Sequence, residues 1–256
     1  MPDHAIRFRI FEDSESACAQ VAAEICQLIR ERAILDRPAV IGLASGRSHL
    51  PLYEELIYLH REEGLCFKNV ITFSLGEYQG VGAKHPLSCQ SSMKRDFFDH
   101  VNIPETNNHF LDGNMPKSKV KANCASYEKK ITTAGGIDLL ILGIGRNGHI
   151  GFNEPETSVE SRTAPIKLAE MTRSDAIHRF QTIENVPSHA YSLGCAPILE
   201  ARRIILMAWG AKKARIVRQT LLDPISPKIP ASYLQAHPAA KVYLDEGAAS
   251  LLSTPE

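Results

Sequence analysis

Residues 137–155 read IDLLILGIGRNGHIGFNEP, in which an apolar run is followed by a glycine-rich segment. Ile137–Leu142 is the most apolar run in the chain, and a short run of this kind followed by glycine predicts a strand buried on both faces. The rest of the segment is rich in glycine and polar residues, so we expect a loop there. Ligands of parallel sheets bind beyond the carboxyl ends of the strands, which is where this loop lies.

Short β-type runs alternate with helical stretches on both sides of this segment. The β-type runs are residues 39–44, 69–75, 203–208 and 241–245, and the helical stretches are residues 14–29, 49–60, 93–99, 118–133 and 212–222. Residues 76–88 contain glycine and proline and predict an irregular loop. Strands separated by helices of this length indicate βαβ units. We therefore predict an α/β fold, a single doubly wound, Rossmann-like domain over residues 1–256 with a mainly parallel sheet.

The beginning of the chain predicts an edge strand. Ile6, Phe8 and Ile10 alternate with Arg7 and Arg9, and this period of two is typical of a strand with one solvent-facing side. We expect the arginines on the solvent side and the three apolar side chains against the core.

Composition excludes several classes of protein. The 256 residues include 29 Lys plus Arg and 29 Asp plus Glu, so the net charge is zero, whereas nucleic-acid-binding proteins and polybasic membrane anchors show a basic excess. No segment approaches the ~18 consecutive apolar residues that a transmembrane helix needs. The six cysteines form no CxxC pair, which favours reduced thiols, and residues 1–13 carry charges where a signal peptide needs an apolar core. We expect a cytoplasmic protein without nucleic-acid or membrane partners.

Four polar segments follow predicted strands and lie, by this interpretation, at one edge of the sheet. They are Ser45–Ser48, Gly76–Tyr78, Gly143–Glu154 and Gly210–Lys213. Because the carboxyl ends of parallel strands share an edge, these segments predict a single site.

The turn Ser45-Gly46-Arg47-Ser48 joins a strand to a helix and is a candidate phosphate site. Small residues let backbone N–H groups approach an anion, and the helix N-terminus adds favourable partial charge. Many turns between a strand and a helix are rich in glycine and serine, so a plain turn is the alternative.

Several interpretations compete for the loop Gly143–Pro155. Its glycine spacing is not the GxGxxG of dinucleotide-binding proteins. His149 and Glu154 stand five residues apart, which is not a spacing typical of metal ligands, so we predict no metal site. A hydrogen-bonded His149–Glu154 pair that transfers protons fits the residues better, and a histidine that only caps the loop is the alternative.

Eight segments, in order along nearly the whole chain, resemble the glucosamine-6-phosphate deaminase/isomerase family, which is related to the 6-phosphogluconolactonases. The segments are GLASGRS (42–48), VITFSLGEYQG (70–80), HPLS (85–88), FFDHVNIP (97–104), LLILGIGRNGHIGFNEP (139–155), SRT (161–163), GAKKA (210–214) and YLQAHP (233–238). Of these, GHIGFNEP is the most specific.

The resemblance implies an enzyme that converts an amino-sugar phosphate to a ketose phosphate and ammonia without a cofactor. The partner would be a phosphorylated sugar, a hexosamine phosphate, and a homo-oligomer stays open. The resemblance implies that the turn at Ser45–Ser48, together with Arg179 and Lys213, binds the phosphate. It also implies that His149 moves the proton that opens the sugar ring and that Glu154 orients this histidine.

The chain departs from the family at three places. The family has Asp-Glu-Tyr where this chain has Gly76-Glu77-Tyr78, and that Asp is the base that moves a proton between C2 and C1. The family has Asp-Gly-His where this chain has Asn147-Gly148-His149, so the carboxylate that supports the histidine is replaced by an amide. Arg47 replaces a second glycine of the phosphate turn and adds a cation.

Three hypotheses follow for the function. The first is an isomerase/deaminase with a rearranged base, with Glu77 as the nearest carboxylate if the chain leaves strand geometry at Gly76. The second is a catalytically weak sugar-phosphate binder with a regulatory role. The third is an enzyme for another phosphorylated sugar, including a lactone. Under the first hypothesis we expect Gly76→Asp, alone or with Asn147→Asp, to raise deamination.

Overall fold

The structure, a computed structural model, describes residues 6–252. Within them the strands are β1 (Arg7–Phe11), β2 (Ala39–Leu43), β3 (Val70–Ser74), β4 (Gly76–Tyr78), β5 (Asn108–His109), β6 (Leu139–Gly143), β7 (Ala164–Lys167), β8 (His189–Ser192), β9 (Ile204–Ala208) and β10 (Ala240–Asp245). The helices are α1 (Ser14–Ile34), α2 (Leu50–Glu62), α3 (Cys89–Asp96), α4 (Val120–Thr133), α5 (Glu170–Phe180), α6 (Cys195–Leu199), α7 (Ala214–Leu222) and α8 (Glu246–Ala249). None of the helices in this range is long and apolar enough to cross a membrane.

Seven strands form one parallel sheet in the order β1-β10-β9-β6-β2-β3-β5. The chain moves outward from β2 to β3 and β5, then returns to β6 beside β2 and moves outward in the other direction. The strand order therefore reverses between β2 and β6. In open α/β sheets, the crevice at such a reversal is where ligands bind. The predicted doubly wound, Rossmann-like α/β fold with a mainly parallel sheet is confirmed.

Strand β6 lies at the centre of this sheet, and its residues Leu139–Leu142 are buried, as the sequence predicts. Leu140 and Leu142 enter a core that includes α4 and α7, while Leu139 and Ile141 enter a second core with α1 and α2. Side chains of a strand alternate between its two faces, so one apolar run supplies both cores. The helices cover the sheet on both sides for this reason.

A second sheet was not predicted. Strands β4, β8 and β7 pair in an antiparallel manner, with Gly76 opposite Ser192 and Tyr78 opposite Ala190. The expectation of an irregular loop over residues 76–88 is therefore wrong for its first three residues. A three-residue strand is too short to show a period in the sequence, and only its partner in β8 defines it.

The edge strand β1 is correctly predicted in position but not in its faces. It pairs only with β10, as an edge strand should. Phe8 and Ile10 are nevertheless 43% and 42% exposed. An edge strand has a neighbour on one side only, so side chains on both of its faces remain partly uncovered. The predicted domain spans residues 1–256, and residues 1–5 and 253–256 lie outside the described part of the chain.

The amino ends of the central strands are joined by a buried carboxylate. Asp138, directly before β6, accepts hydrogen bonds from the backbone N–H of Val40 at 3.0 Å and from Arg202 Nη1 at 2.9 Å. It also forms an ion pair with Arg32 of α1. One side chain thus connects β2, β6 and α1 at the end of the sheet opposite to the carboxyl ends.

We expect Asp138→Asn to lower the free energy of unfolding by about 1–3 kcal/mol, because an amide loses the charge that both arginines contact. Urea unfolding measures this change. The matched control is Glu200→Gln, which removes the charge of an exposed ion pair with Arg162 and should cost less than about 1 kcal/mol. Equal losses in the two variants would show that the buried cluster has no special role.

Candidate active site

A cleft of about 580 Å³ opens at the carboxyl ends of the central strands. Its lining includes the turn Ser45–Ser48, Gly76, His149, Arg179 and Lys213. The four predicted polar segments therefore do contribute to one site. A second open cleft, of about 610 Å³, is lined by residues such as Gln79, Asn185 and His189 but by no lysine or arginine. Only the first cleft has the permanent positive charge that a phosphorylated ligand needs.

The turn after β2 presents an unsatisfied helix N-terminus to this cleft. A single 3-10 turn, Arg47–His49, leads directly into α2. The first N–H groups of a helix have no acceptor within the helix, so they are available to an anion. The Ser48 carbonyl accepts a hydrogen bond from Trp209 Nε1 at 2.8 Å, which ties the turn to the end of β9.

Two of the predicted cations are held in place by the protein. Lys213 Nζ donates to the Ile144 carbonyl at 2.7 Å, and burial lowers the pKa of its ammonium group. Arg179 of α5 donates from Nη2 to the Ser88 carbonyl and to Ser92 Oγ, both at 2.7 Å. Both cations line the cleft, so α5 and the turn before α7 each contribute one fixed positive charge.

Behind the cleft, three side chains form a continuous hydrogen-bonded chain. His149 Nδ1 lies 2.8 Å from Asn147 Oδ1, and Asn147 Nδ2 donates to Glu154 Oε2 at 2.7 Å. Glu154 Oε1 also accepts from the backbone N–H of Ala169 at 3.1 Å. Asn147 can therefore bridge the histidine and the glutamate. The predicted His149–Glu154 pair is close in space, with 3.7 Å between Nδ1 and Oε2, but the amide connects the two groups.

This chain determines which nitrogen of His149 is available. Because Nδ1 faces an amide oxygen, Nδ1 carries the proton, and Nε2 keeps its lone pair. Burial is the main effect on the ring and lowers its pKa, although the negative charge of Glu154 opposes that shift. At neutral pH the ring is uncharged, so Nε2 can accept a proton from a group in the cleft.

Glu77 does not lie in the cleft. The chain keeps strand geometry at Gly76–Tyr78, so the condition under which Glu77 would reach a substrate is not met. Its carboxylate is 1% exposed and accepts backbone N–H groups from Tyr78, Cys89 and Gln90 at 2.8, 2.9 and 3.1 Å. Cys89 and Gln90 begin α3, so Glu77 stabilises the N-terminus of that helix. The hypothesis that Glu77 replaces the missing base is corrected on this geometry.

Gly76 lines the cleft but leaves no room for a side chain. A Cβ atom at this position would lie 2.6 Å from the Tyr191 carbonyl oxygen and 2.7 Å from Phe152 Cδ2. The ring of Phe152 could rotate, but the carbonyl belongs to the β4–β8 pairing and cannot move without shifting β8. This steric overlap opposes the expectation that Gly76→Asp raises activity.

Sequence reasoning missed several residues of the site. His49, Cys89, Thr172 and Asp175 all line the cleft. Thr172 Oγ1 lies 3.2 Å from His149 Nδ1, and Asp175 pairs with Arg146 at 2.9 Å from Nε to Oδ2. His49 directly follows the predicted phosphate turn and was the one residue with a usable signal. The others come from α3 and α5, whose approach to the site has no sequence pattern.

Several known proteins are similar to this chain over most of its length. The family model described as glucosamine-6-phosphate isomerases/6-phosphogluconolactonase matches residues 12–244. A glucosamine-6-phosphate deaminase of Halothermothrix orenii is 42% identical over 233 residues, which cover 91% of this chain and 96% of that protein. A putative glucosamine-6-phosphate deaminase-like protein of Bacteroides thetaiotaomicron is 41% identical over 95% of this chain, which spans 37% of the length of that relative.

A solved structure of a monomeric glucosamine-6-phosphate deaminase has a TM-score of 0.92 to this chain. It is 37% identical in sequence, and the match covers 96% of this chain and 100% of that one. The fold and these relatives define an α/β enzyme with a cleft at the switch point of its sheet. The chain belongs to the glucosamine-6-phosphate isomerase/6-phosphogluconolactonase family, as the resemblance of its motifs predicted.

We expect Glu77→Gln to lower the free energy of unfolding by about 1–3 kcal/mol, because an amide cannot accept all three backbone N–H groups. Thermal or urea unfolding measures the loss, and Glu160→Gln, at an exposed position, is the matched control. Unchanged stability together with complete loss of turnover would return Glu77 to a catalytic role.

We expect Gly76→Ala to destabilise the protein by about 1–3 kcal/mol, because the new methyl group overlaps the Tyr191 carbonyl. Gly76→Asp should be destabilised at least as much and should gain no turnover. Adding Phe152→Ala should not rescue either variant, since the backbone contact remains. A stable Gly76→Asp protein with raised turnover would show that β8 moves aside easily.

Proposed function

We propose that this protein is an amino-sugar phosphate isomerase/deaminase that acts slowly on glucosamine 6-phosphate, giving fructose 6-phosphate and ammonia. The observation that carries the proposal is the position of His149, whose Nδ1 is engaged by Asn147, on the same cleft as the phosphate turn, Arg179 and Lys213. A proton acceptor and an anion site in one cleft suit a phosphorylated sugar.

Ring opening uses the neutral histidine. The phosphate lies on the turn, and its charge pairs with Lys213 and Arg179. Nε2 of His149 then removes the proton of the anomeric hydroxyl and returns it to the ring oxygen. Asn147 holds the ring through Nδ1, and Glu154 holds Asn147. The transient imidazolium is stabilised by Glu154 at 3.7 Å from Nδ1. A positioned acid–base group of this kind contributes ~10²–10⁴-fold to a rate.

The next step, isomerisation, is the one that we expect to be slow. Isomerisation moves a proton from C2 to C1, and water then replaces the amine to release ammonia. Position 76 has no side chain, and the carboxylate of Glu77 is occupied by backbone N–H groups. We therefore expect proton transfer at carbon to be slower by about 10²–10⁴-fold than with a positioned base.

The second candidate is a protein that binds a sugar phosphate without turning it over. The closed packing around Gly76 favours it, because the site has lost space for a base as well as the base itself. Both candidates share the phosphate site and differ in chemistry.

A cytoplasmic location remains a prediction, resting on thiols that the structure shows unpaired at all six cysteines.

Incubation with glucosamine 6-phosphate, with ammonia and fructose 6-phosphate both measured, separates the two candidates. We expect slow release of both products, lost in His149→Gln. Substrate-dependent stabilisation without product would favour the binding protein. Lactone hydrolysis without deamination would favour the other branch of the family.

Phosphate recognition is tested by Lys213→Met, which should weaken binding of glucosamine 6-phosphate by roughly 10–100-fold through loss of a charge-assisted contact. Isothermal titration calorimetry measures the affinity. Lys212→Met is the matched control, because Lys212 is exposed and does not line the cleft. Equal affinities of the two variants would remove Lys213 from the site.

Turnover should depend on pH through His149. Its pKa is lowered by burial, so the ring is neutral above its ordinary value of 6.5, and activity should fall only as pH drops below that value. Asn147→Asp places a carboxylate against the ring and should move this acid limb to higher pH by about one unit or more. The pH profile of kcat/KM measures both effects. An acid limb that stays fixed in Asn147→Asp would assign it to another group.

A further inference from the structure

His49 is a buried histidine at the end of the phosphate turn. It is 3% exposed, although it lines the cleft through its ring. Nδ1 lies 3.3 Å from the carbonyl oxygen of Gly46, within the turn itself. Nε2 is fully buried and has no hydrogen-bond partner in good geometry within the described residues. An unpartnered buried nitrogen beside a ligand site requires a physical explanation.

The surroundings of the ring suit a double donor. One nitrogen faces the Gly46 carbonyl, and the Leu142 carbonyl is close enough on the other side to favour the protonated ring. A neutral imidazole has a single N–H, so one of its nitrogens turns a lone pair toward an oxygen. The imidazolium form donates from both nitrogens. It would connect the turn after β2 to the end of β6.

Without a ligand, the neutral form prevails. Burial lowers the pKa of His49 to about 4, while the two carbonyls act in the opposite direction. Tyr53 of α2 stacks on the ring with 6.5 Å between centroids, and its own pKa is raised by burial, so it is uncharged. Gly143, which carries no charge, lies next to the Cε1 edge of the ring, since a Cβ there would be 3.0 Å from His49 Cε1. The charged groups that line the same cleft are four cations, Arg47, Arg95, Arg179 and Lys213, and two carboxylates, Asp96 and Asp175.

A bound dianion changes this balance. A phosphate on the turn would add negative charge next to a ring that is shielded from water. Electrostatic interactions are stronger in such an environment than in solvent. By linkage, whatever raises the pKa of the ring on binding also tightens binding as pH falls.

We propose that His49 is a positioning residue that takes up a proton from solvent when a dianionic phosphate group binds to the turn, and that its imidazolium then fastens Gly46 to Leu142 across the cleft floor. The proposal rests on the phosphate site proposed above. It makes the geometry of the turn dependent on the charge of the ligand, so that dianions are preferred over neutral sugars.

The test is sulfate binding at pH 6, measured by isothermal titration calorimetry in two buffers of different ionisation enthalpy. Sulfate has no ionisation near this pH, so any proton taken up goes to the protein. We expect uptake of about half a proton or more per sulfate for the wild type, and less than about one tenth for His49→Gln. His178→Gln, a second histidine of the cleft lining, is the matched control and should keep the wild-type uptake.

Each outcome of these measurements either supports or overturns the role proposed for His49. Sulfate binding without proton uptake, or uptake that persists in His49→Gln, overturns the role of His49 and leaves the phosphate site intact. Failure of both sulfate and glucosamine 6-phosphate to bind overturns the phosphate site as well. If His49→Gln does not fold, a spectrum of wild-type protein with ¹⁵N-labelled histidine replaces it. A buried ring that becomes protonated at both nitrogens on sulfate addition supports the proposal, and unchanged rings overturn it.

Discussion

The pairing of β2 with β6 is the interaction on which the rest of the site depends. Only two residue pairs join these strands, Ile41 with Leu139 and Gly42 with Leu140. Gly42 permits a close approach, because a Cβ there would lie 1.9 Å from Leu140 Cδ1. Asp138 secures the amino ends of the two strands through the N–H of Val40. At the carboxyl ends, the strands diverge into the turn and loop that carry the chemistry.

Two kinds of polar group contribute to the site: cations in the cleft lining, and the hydrogen-bonded side chains behind His149. Lys213 and Arg179 are fixed by backbone or hydroxyl oxygens, so each cation is in place before a ligand arrives. Behind His149, the amide oxygen of Asn147 selects the tautomer. What the amide cannot supply is negative charge, and burial therefore dominates the pKa of the ring. The histidine is oriented as in a proton-transfer site but is less basic than its ordinary form.

Two glutamates of the family motifs have opposite roles in this structure. Glu154 reaches the histidine through Asn147, whereas Glu77 is used entirely by the backbone of β4 and α3. Adjacent residues of a strand point to opposite faces, so Gly76 faces the cleft and Glu77 faces away. The carboxylate of Glu77 is therefore not available to a ligand in the cleft. The same packing that holds Glu77 closes the space at Gly76.

The sequence alone determined the parallel sheet, its central strand and the loops that form the site. These follow from short-range signals: an apolar run in β6, helical spacing between strands, and polar residues after the strands. The motifs also predicted an anion turn at Ser45–Ser48 and a role for His149, and the structure places these residues in one cleft. The tertiary structure was needed to show that Glu77 is structural, that Gly76 has no room for a side chain, and that Thr172 and Asp175 line the cleft. Each of these depends on contacts between residues far apart in the chain, such as Gly76 with Tyr191 and Arg179 with Ser88. No local pattern encodes such contacts, because they arise only when separate strands and helices pack together.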